Sequence, residues 1–255
     1  MCLRIWGWLL VGAQLGSSVG LSAPEENRLR VASGRGYDLK TCASVPDVTS
    51  CAVGFVLEQY RQVTPSQDKE VWVTEYWSPE KKELFARDTV ELKGNRLFRY
   101  QMEQNRVERV SFMQRIESED GNRFQLSRIE GEEKTLKEKR LKGVLVPPPL
   151  LVREVESGWG RLADGKSVEV ELAIASDMTT YGVRLKRSKD GKRIELHARS
   201  FVVGWFMPEI FFRVADNKIV EWQGRVPVMR KTKKDFEDMD AFVLLQEPYV
   251  LHVKK

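Results

Sequence analysis

The sequence predicts a mainly β fold: a large antiparallel meander forming a curved sheet or open barrel, with one amphipathic helix packed on or in it. Two observations carry the prediction. Turn-forming residues recur along the chain, for example at 93–95, 120–122 and 189–191. Between such turns, apolar and polar residues alternate, which is typical of antiparallel strands with one buried and one solvated face.

The alternation is clearest in the second half of the chain. In 168–175, valine, leucine and isoleucine occupy every second position, and 181–186 and 194–199 repeat the pattern. A period of two residues brings all the apolar side chains of a strand to one side. We therefore assign 70–255 to a single β-rich domain.

One segment, near 149–163, has helical periodicity instead. Leu151, Val155, Trp159 and Leu162 recur at three- and four-residue spacing after a run of three prolines. Pro149 suits a first helical turn and Gly165 suits a helix end. We expect this amphipathic helix to pack against the sheet.

The N-terminus has the layout of a signal peptide. A single positive charge at Arg4 precedes an apolar run and then small residues through Ala23. We expect residues 1–23 to be removed, with cleavage near residue 20–23, and the protein to be exported to the periplasm or secreted. The alternative is an uncleaved anchor, although the apolar run is shorter than a comfortable membrane span.

Residues 24–69 are predicted to form an N-terminal leader. Within it, Cys42 and Cys51 enclose a turn-forming Pro-Asp pair, and in an oxidising compartment they are expected to close a small disulfide loop. Two unpaired, partly buried thiols are the alternative. The apolar stretch Val53–Tyr60 fits either a helix or a first strand.

Composition disfavours nucleic-acid binding. The chain has 42 basic and 37 acidic residues, a formal charge of +5, and the basic residues are scattered among acidic ones. Such a small excess leaves peripheral contact with an anionic membrane open.

The sequence has no recognisable catalytic or metal-binding pattern. Its two histidines, His197 and His252, have no ligand or triad spacing, and no Gly-x-Ser-x-Gly elbow is present. We therefore predict a non-enzymatic protein without a metal or cofactor.

The most unusual segment is Phe201–Phe212, in which nine of twelve residues are large and apolar. Pro208 makes a continuous central strand awkward there. One interpretation is a buried corner of the core. The other is an apolar lining or patch for a ligand, membrane or partner, with Trp205, Phe206, Phe211 and Phe212 as the candidate residues.

Scattered apolar anchors and turn glycines over roughly 70–228 also resemble a known family. They are Trp77 with Phe85-Ala86-Arg87, Arg128 with Glu130-Gly131, Val146-Pro147-Pro148 with Leu151-Val152, Trp159 with Leu162 and Gly165, and Glu221-Trp222-Gln223-Gly224. The chain resembles an uncharacterised family of exported bacterial β-rich proteins, a domain of unknown function. The resemblance implies an exported β-rich domain and no activity, and it does not extend to Cys42 and Cys51.

Two functions follow as hypotheses. The first is a periplasmic protein that binds or carries an apolar or lipid-like ligand in the concavity of its sheet. The alternative is a protein–protein interaction or structural module of the cell envelope, docking through the 201–212 patch or an edge strand.

Overall fold

The structure is a computed structural model that describes residues 28–42, 50–116, 123–141 and 143–251. Over these residues the chain is mostly β-strand, as the sequence predicts. The strands are β1 Leu29–Asp38, β2 Phe55–Thr64, β3 Lys69–Trp77, β4 Leu84–Lys93, β5 Arg96–Gln104, β6 Arg109–Arg115, β7 Arg123–Glu130, β8 Glu133–Arg140, β9 Leu145–Val146, β10 Val168–Ile174, β11 Thr179–Arg187, β12 Arg193–Ala198, β13 Ile210–Ala215, β14 Lys218–Lys231 and β15 Phe236–Val250. The helices are α1 Leu39–Cys42, α2 Leu151–Ser157, α3 Trp159–Ala163 and α4 Phe201–Phe206.

The fifteen strands form one sheet in the order β8-β7-β6-β5-β4-β3-β2-β1-β15-β14-β13-β12-β11-β10-β9. Consecutive strands are neighbours and pair antiparallel, except that β8 and β9 lie at opposite ends of the sheet and β9 pairs parallel to β10. The first and last strands, β1 and β15, pair in the middle, so the free edges are β8 and β9. The predicted class, a large antiparallel meander that curves without closing, is confirmed.

The N-terminal part of the chain differs from the prediction. The structure places β1 and β2 within 24–69, and both are central strands of the sheet rather than a leader. Two glycines in β1 hide its strand character from the sequence. A Cβ on Gly36 would lie 2.0 Å from the Phe55 ring, and one on Gly34 would lie 2.5 Å from the Leu244 carbonyl oxygen. The glycines therefore admit close neighbours. The predicted signal peptide, residues 1–23, lies outside the described residues.

The interior of the curved sheet contains two apolar clusters. The larger, here called the main core, includes Trp72, Val90, Met113 and Leu185. The smaller, here called the second core, forms where β2 to β4 face β14 and β15, and it includes Phe55 and Val243.

The predicted helix near 149–163 is present as two short helices, α2 and α3, which meet at Gly158. Their apolar side chains insert into the main core, where Val155 and Leu162 are completely buried. Gly158 is required at the junction, because a Cβ there would lie 2.6 Å from a methyl group of Val168. The pair α2–α3, here called the plug, thus occupies the space inside the sheet.

The loop between β1 and β2 is closed by the predicted disulfide, Cys42–Cys51. Residues 43–49 inside this loop are outside the described part of the chain. None of the helices in the described segments is both long enough and apolar enough to cross a membrane.

Candidate functional site

The apolar segment 201–212 divides into a helix and a strand. Backbone bonds from Gly204 N to Ser200 O and from Met207 N to Val203 O form α4. Pro208 has no amide hydrogen and disfavours helix in the residue before it, so the helix ends at Phe206. After Glu209 the chain enters β13.

The strand half of the segment is buried, as the core interpretation expects. Phe211 and Phe212 are adjacent in β13 and therefore face opposite sides of the sheet. Phe212 belongs to the main core. Phe211 is buried on the other side, with the Arg193 guanidinium 4.5 Å from its ring centre. Neither residue lines an open surface.

The helical half lies on the surface, as the patch interpretation expects. Phe201 is 75% exposed and Val202 is 65% exposed. Exposing large apolar side chains such as these to water costs free energy. The side chains of Trp205 and Phe206 lie outside the described atoms, so the site is defined here by Phe201 and Val202. Of the four candidate residues, Phe211 and Phe212 are buried and do not belong to an exposed patch, whereas Phe201 and Val202, which were not among the candidates, are exposed.

A groove of about 360 Å³ adjoins the end of α4. Pro208 and Glu209 form one side, and Leu39 and Lys40 of α1 form another. Asp238 and Asp240 of β15 also line the groove, so that together with Glu209 three carboxylates surround it. The groove therefore joins the connection between β12 and β13 to the disulfide-closed connection between β1 and β2.

Most charges around this groove are compensated by neighbours. Arg225 contacts Asp238 at 2.5 Å and Asp240 at 2.6 Å. Burial alone would lower the pKa of Arg225, but the hydrogen bond and charge of Asp240, together with Asp238, outweigh it and raise that pKa.

A second ion-pair group lies beside the first. Arg230 bonds Asp38 at 2.7 Å and Glu237 at 2.8 Å, and Lys40 bonds Glu237 at 3.1 Å. The hydrogen bonds from Arg230 and Lys40 lower the pKa of Glu237. These ion pairs link the connection between β1 and β2 to β14 and β15 beside the groove.

The most perturbed acid lies inside the molecule. Asp88 is 1% exposed and accepts hydrogen bonds from Tyr100 Oη at 2.9 Å and Tyr76 Oη at 3.3 Å. Burial raises the pKa of Asp88 to about 7, against the opposing effect of the two tyrosine hydrogen bonds. Burial and the Asp88 charge raise the pKa values of both tyrosines.

Asp88 belongs to a row of polar side chains that crosses the interior between the two cores. Neighbouring strands pair Gln59 with Thr74 and Thr74 with Asp88. Gln59 Nε2 also donates to the Pro149 carbonyl at 3.0 Å, which ties the row to the turn that leads into the plug. Because this row is sealed from solvent, we interpret it as structural and not as an active site.

The remaining chemical candidates are surface groups. His197 is exposed on β12 beside Glu195, with Nε2 3.2 Å from its carboxylate. His252 lies outside the described residues. Among the residues that the structure describes, no group of three or more histidine, cysteine, aspartate or glutamate side chains is placed to hold a metal ion.

Comparison with known proteins adds little. No protein-family model matches the chain, and no curated protein matches it. Among solved structures, the chain is similar to a β-barrel-like protein of domain of unknown function DUF1849 from Brucella abortus, at 10% identity and a TM-score of 0.34, covering 88% of this chain and 97% of that one. That neighbour is, like the family the sequence resembles, an uncharacterised β-rich bacterial domain. A likeness this distant carries no argument about the function of the present chain.

Proposed function

We propose that this protein is an exported, non-enzymatic interaction module of the bacterial cell envelope, and that it binds a protein partner through α4. The observation that carries the proposal is the exposure of Phe201 and Val202 at 75% and 65% on a helix without a charged residue. Contiguous apolar surface of this kind is typical of sites that are covered by another molecule.

The interior supports a docking function over a carrier function. A carrier of an apolar ligand needs a hollow of several hundred Å³ lined by apolar side chains. In the described part of the chain, the plug and the two cores occupy the inside of the sheet, where Val155, Leu162 and Leu185 are completely buried. An apolar ligand would have to displace the plug.

The charges beside α4 favour a protein over a membrane. Helices that lie on membranes combine a long apolar face with lysines and arginines. Here α4 has six residues, and the adjoining groove carries the carboxylates Glu209, Asp238 and Asp240. Arg225 compensates Asp238 and Asp240, and Lys40 and Arg230 also line the groove, so this surface offers no excess of positive charge to anionic lipid headgroups. A protein can match such mixed charges around an apolar anchor.

Export is the second part of the proposal. The disulfide Cys42–Cys51 supports it, because such bonds persist in oxidising compartments. Cell fractionation, with mass measurement of the purified chain, tests both the compartment and the expected cleavage near residue 20–23. A full-length chain with free thiols in the cytosol would contradict export.

Photo-crosslinking tests the docking surface. With a photoreactive amino acid at position 202, we expect one dominant crosslinked protein in cells, and the crosslink should be lost when Phe201→Ser is added. A matched control is the pair Leu29→Ser and Val63→Ser, which removes two other apolar side chains exposed by 65% and 50%. Loss of the crosslink in this control as well would contradict the proposal. So would binding of the native protein to anionic vesicles, without any crosslinked protein in cells.

A further inference from the structure

The edge strand β8 is a long, regular strand with one side unpaired. Its eight residues pair with β7 in unbroken register from Arg123↔Arg140 to Glu130↔Glu133. Among the described residues, no other strand pairs with it, and no backbone hydrogen bond from another segment reaches it. Within the described part of the chain, its outer amide and carbonyl groups therefore have no backbone partner.

The opposite edge of the sheet is protected in ways that β8 is not. β9 has only two residues, Leu145 and Val146, and both are buried. Natural edges are usually shortened, bulged, interrupted by proline, covered, or lined with charged side chains, especially lysine. β8, with the sequence Glu-Lys-Thr-Leu-Lys-Glu-Lys-Arg, has neither proline nor glycine, and its register with β7 has no bulge.

What distinguishes β8 is its charge. The strand has a net charge of +2 over eight residues, because it contains four basic residues, Lys134, Lys137, Lys139 and Arg140, and two acidic ones, Glu133 and Glu138. The lysines occur on both sides of the strand, since Lys137 lies opposite the core residue Leu126 and Lys134 lies opposite Ile129. A second strand with the same basic character would be repelled, and an acidic one would be attracted.

We propose that β8 binds an extended, acidic segment of a protein partner, which adds to the sheet as a sixteenth strand. Backbone hydrogen bonds along β8 would supply the affinity, and carboxylates on both faces of the incoming strand would pair with Lys134 and Lys137. Leu136 is 54% exposed and lies on the same face as Lys134. It would contact an apolar side chain next to the carboxylate on that face of the incoming strand. This binding mode goes beyond the α4 surface and does not depend on it.

A synthetic peptide of about ten residues, a length that covers a strand, provides the test. It repeats a pair of glutamates followed by valine and threonine, which places glutamates on both faces of the strand, and its counterpart replaces each glutamate with lysine. Fluorescence anisotropy measures the affinity of both peptides for the full chain. Hydrogen exchange locates the bound strand, because backbone pairing should slow exchange at the β8 amides that face away from β7.

We expect the acidic peptide to bind, and Lys134→Glu with Lys137→Glu to weaken it at least about tenfold, more than 1.4 kcal/mol. Leu136→Pro should also abolish binding, because proline removes a donor and blocks strand addition. The matched control is Lys231→Glu with Lys234→Glu, an equal charge change outside β8 that should leave affinity unchanged. Circular dichroism verifies that each variant is folded.

Several results would overturn the proposal. They are the absence of acidic-peptide binding up to about 1 mM, equal affinity for the lysine peptide, equal weakening by the Lys231 and Lys234 control, or unchanged exchange along β8 in the complex. Sedimentation that shows dimers held together through β8 would also overturn it, because the occupant would then be a second copy of this chain.

Discussion

The plug and α4 are both apolar helical connections between strands, yet one is buried and the other is exposed. In the plug, Val155 and Leu162 are inaccessible to solvent, whereas in α4 Phe201 and Val202 are largely accessible. Hydrophobicity alone therefore does not decide burial in this molecule.

The difference follows from pattern and location. The apolar residues of the plug recur at helical spacing, and Arg153 and Glu154 lie elsewhere around the helix. One face can therefore enter the core while the polar residues remain outside it. The six residues of α4 include no charged side chain, and the helix lies outside the sheet beside Glu209. Under the proposed function, a protein partner covers this surface.

The largest expected effect is in the plug. Leu162→Ala removes a completely buried side chain from the main core and should lower the free energy of unfolding by about 2–5 kcal/mol. Urea denaturation measures the loss. A loss below about 1 kcal/mol would mean that the plug is not an integral part of the core, and the comparison with α4 would fail.

The buried acid should give the next largest effect, as a pH dependence. The pKa of Asp88 is raised in the folded state from 3.8 to about 7, so the folded protein keeps a proton that the unfolded chain has already lost. The stabilisation from this proton is complete below pH 3.8 and is lost as pH rises through about 7.

Asp88→Asn should remove this dependence, because an amide does not ionise and its oxygen still accepts from Tyr100. Between pH 4.5 and 8, we expect the native chain to lose roughly 3 kcal/mol more than the variant, at 1.36 kcal/mol per pKa unit. Urea denaturation at the two pH values provides the measurement. Equal pH dependence in both proteins would show that Asp88 is ionised throughout. Glu237, beside α4, has a lowered pKa and should add no loss over this range.

The smallest effect should be at α4. Val202→Ala removes a side chain that is already 65% exposed, so the free energy of unfolding should change by less than about 0.5 kcal/mol. The same urea titration compares it directly with Leu162→Ala. A large loss at Val202 would indicate that α4 packs on its own chain and is not available to a partner.

The prediction from sequence was most accurate where one physical pattern dominates. Strands such as β10 and β11 alternate strictly, and the structure pairs them in unbroken register from Val168↔Leu185 to Ile174↔Thr179. The stretch Val53–Tyr60, left open between helix and strand, lies largely in β2 because β1 and β3 are available on either side. A short apolar run does not carry that information by itself.

The candidate site was predicted only in outline. Sequence marked 201–212 as unusual, but it did not separate Phe211 and Phe212, which are buried in β13, from Phe201 and Val202, which are exposed on α4. The edge character of β8 was equally invisible, because it depends on β1 pairing with β15 more than two hundred residues away.

The sequence by itself predicts a β meander, an amphipathic helix and a disulfide-closed loop, because alternation, helical spacing and cysteine placement are local properties of the chain. Tertiary structure decided that β1 lies in the centre of the sheet, that the plug fills its interior, and that α4 and β8 remain exposed. Those outcomes depend on long-range pairing and on the space left inside the curved sheet, and neither is encoded in any short segment.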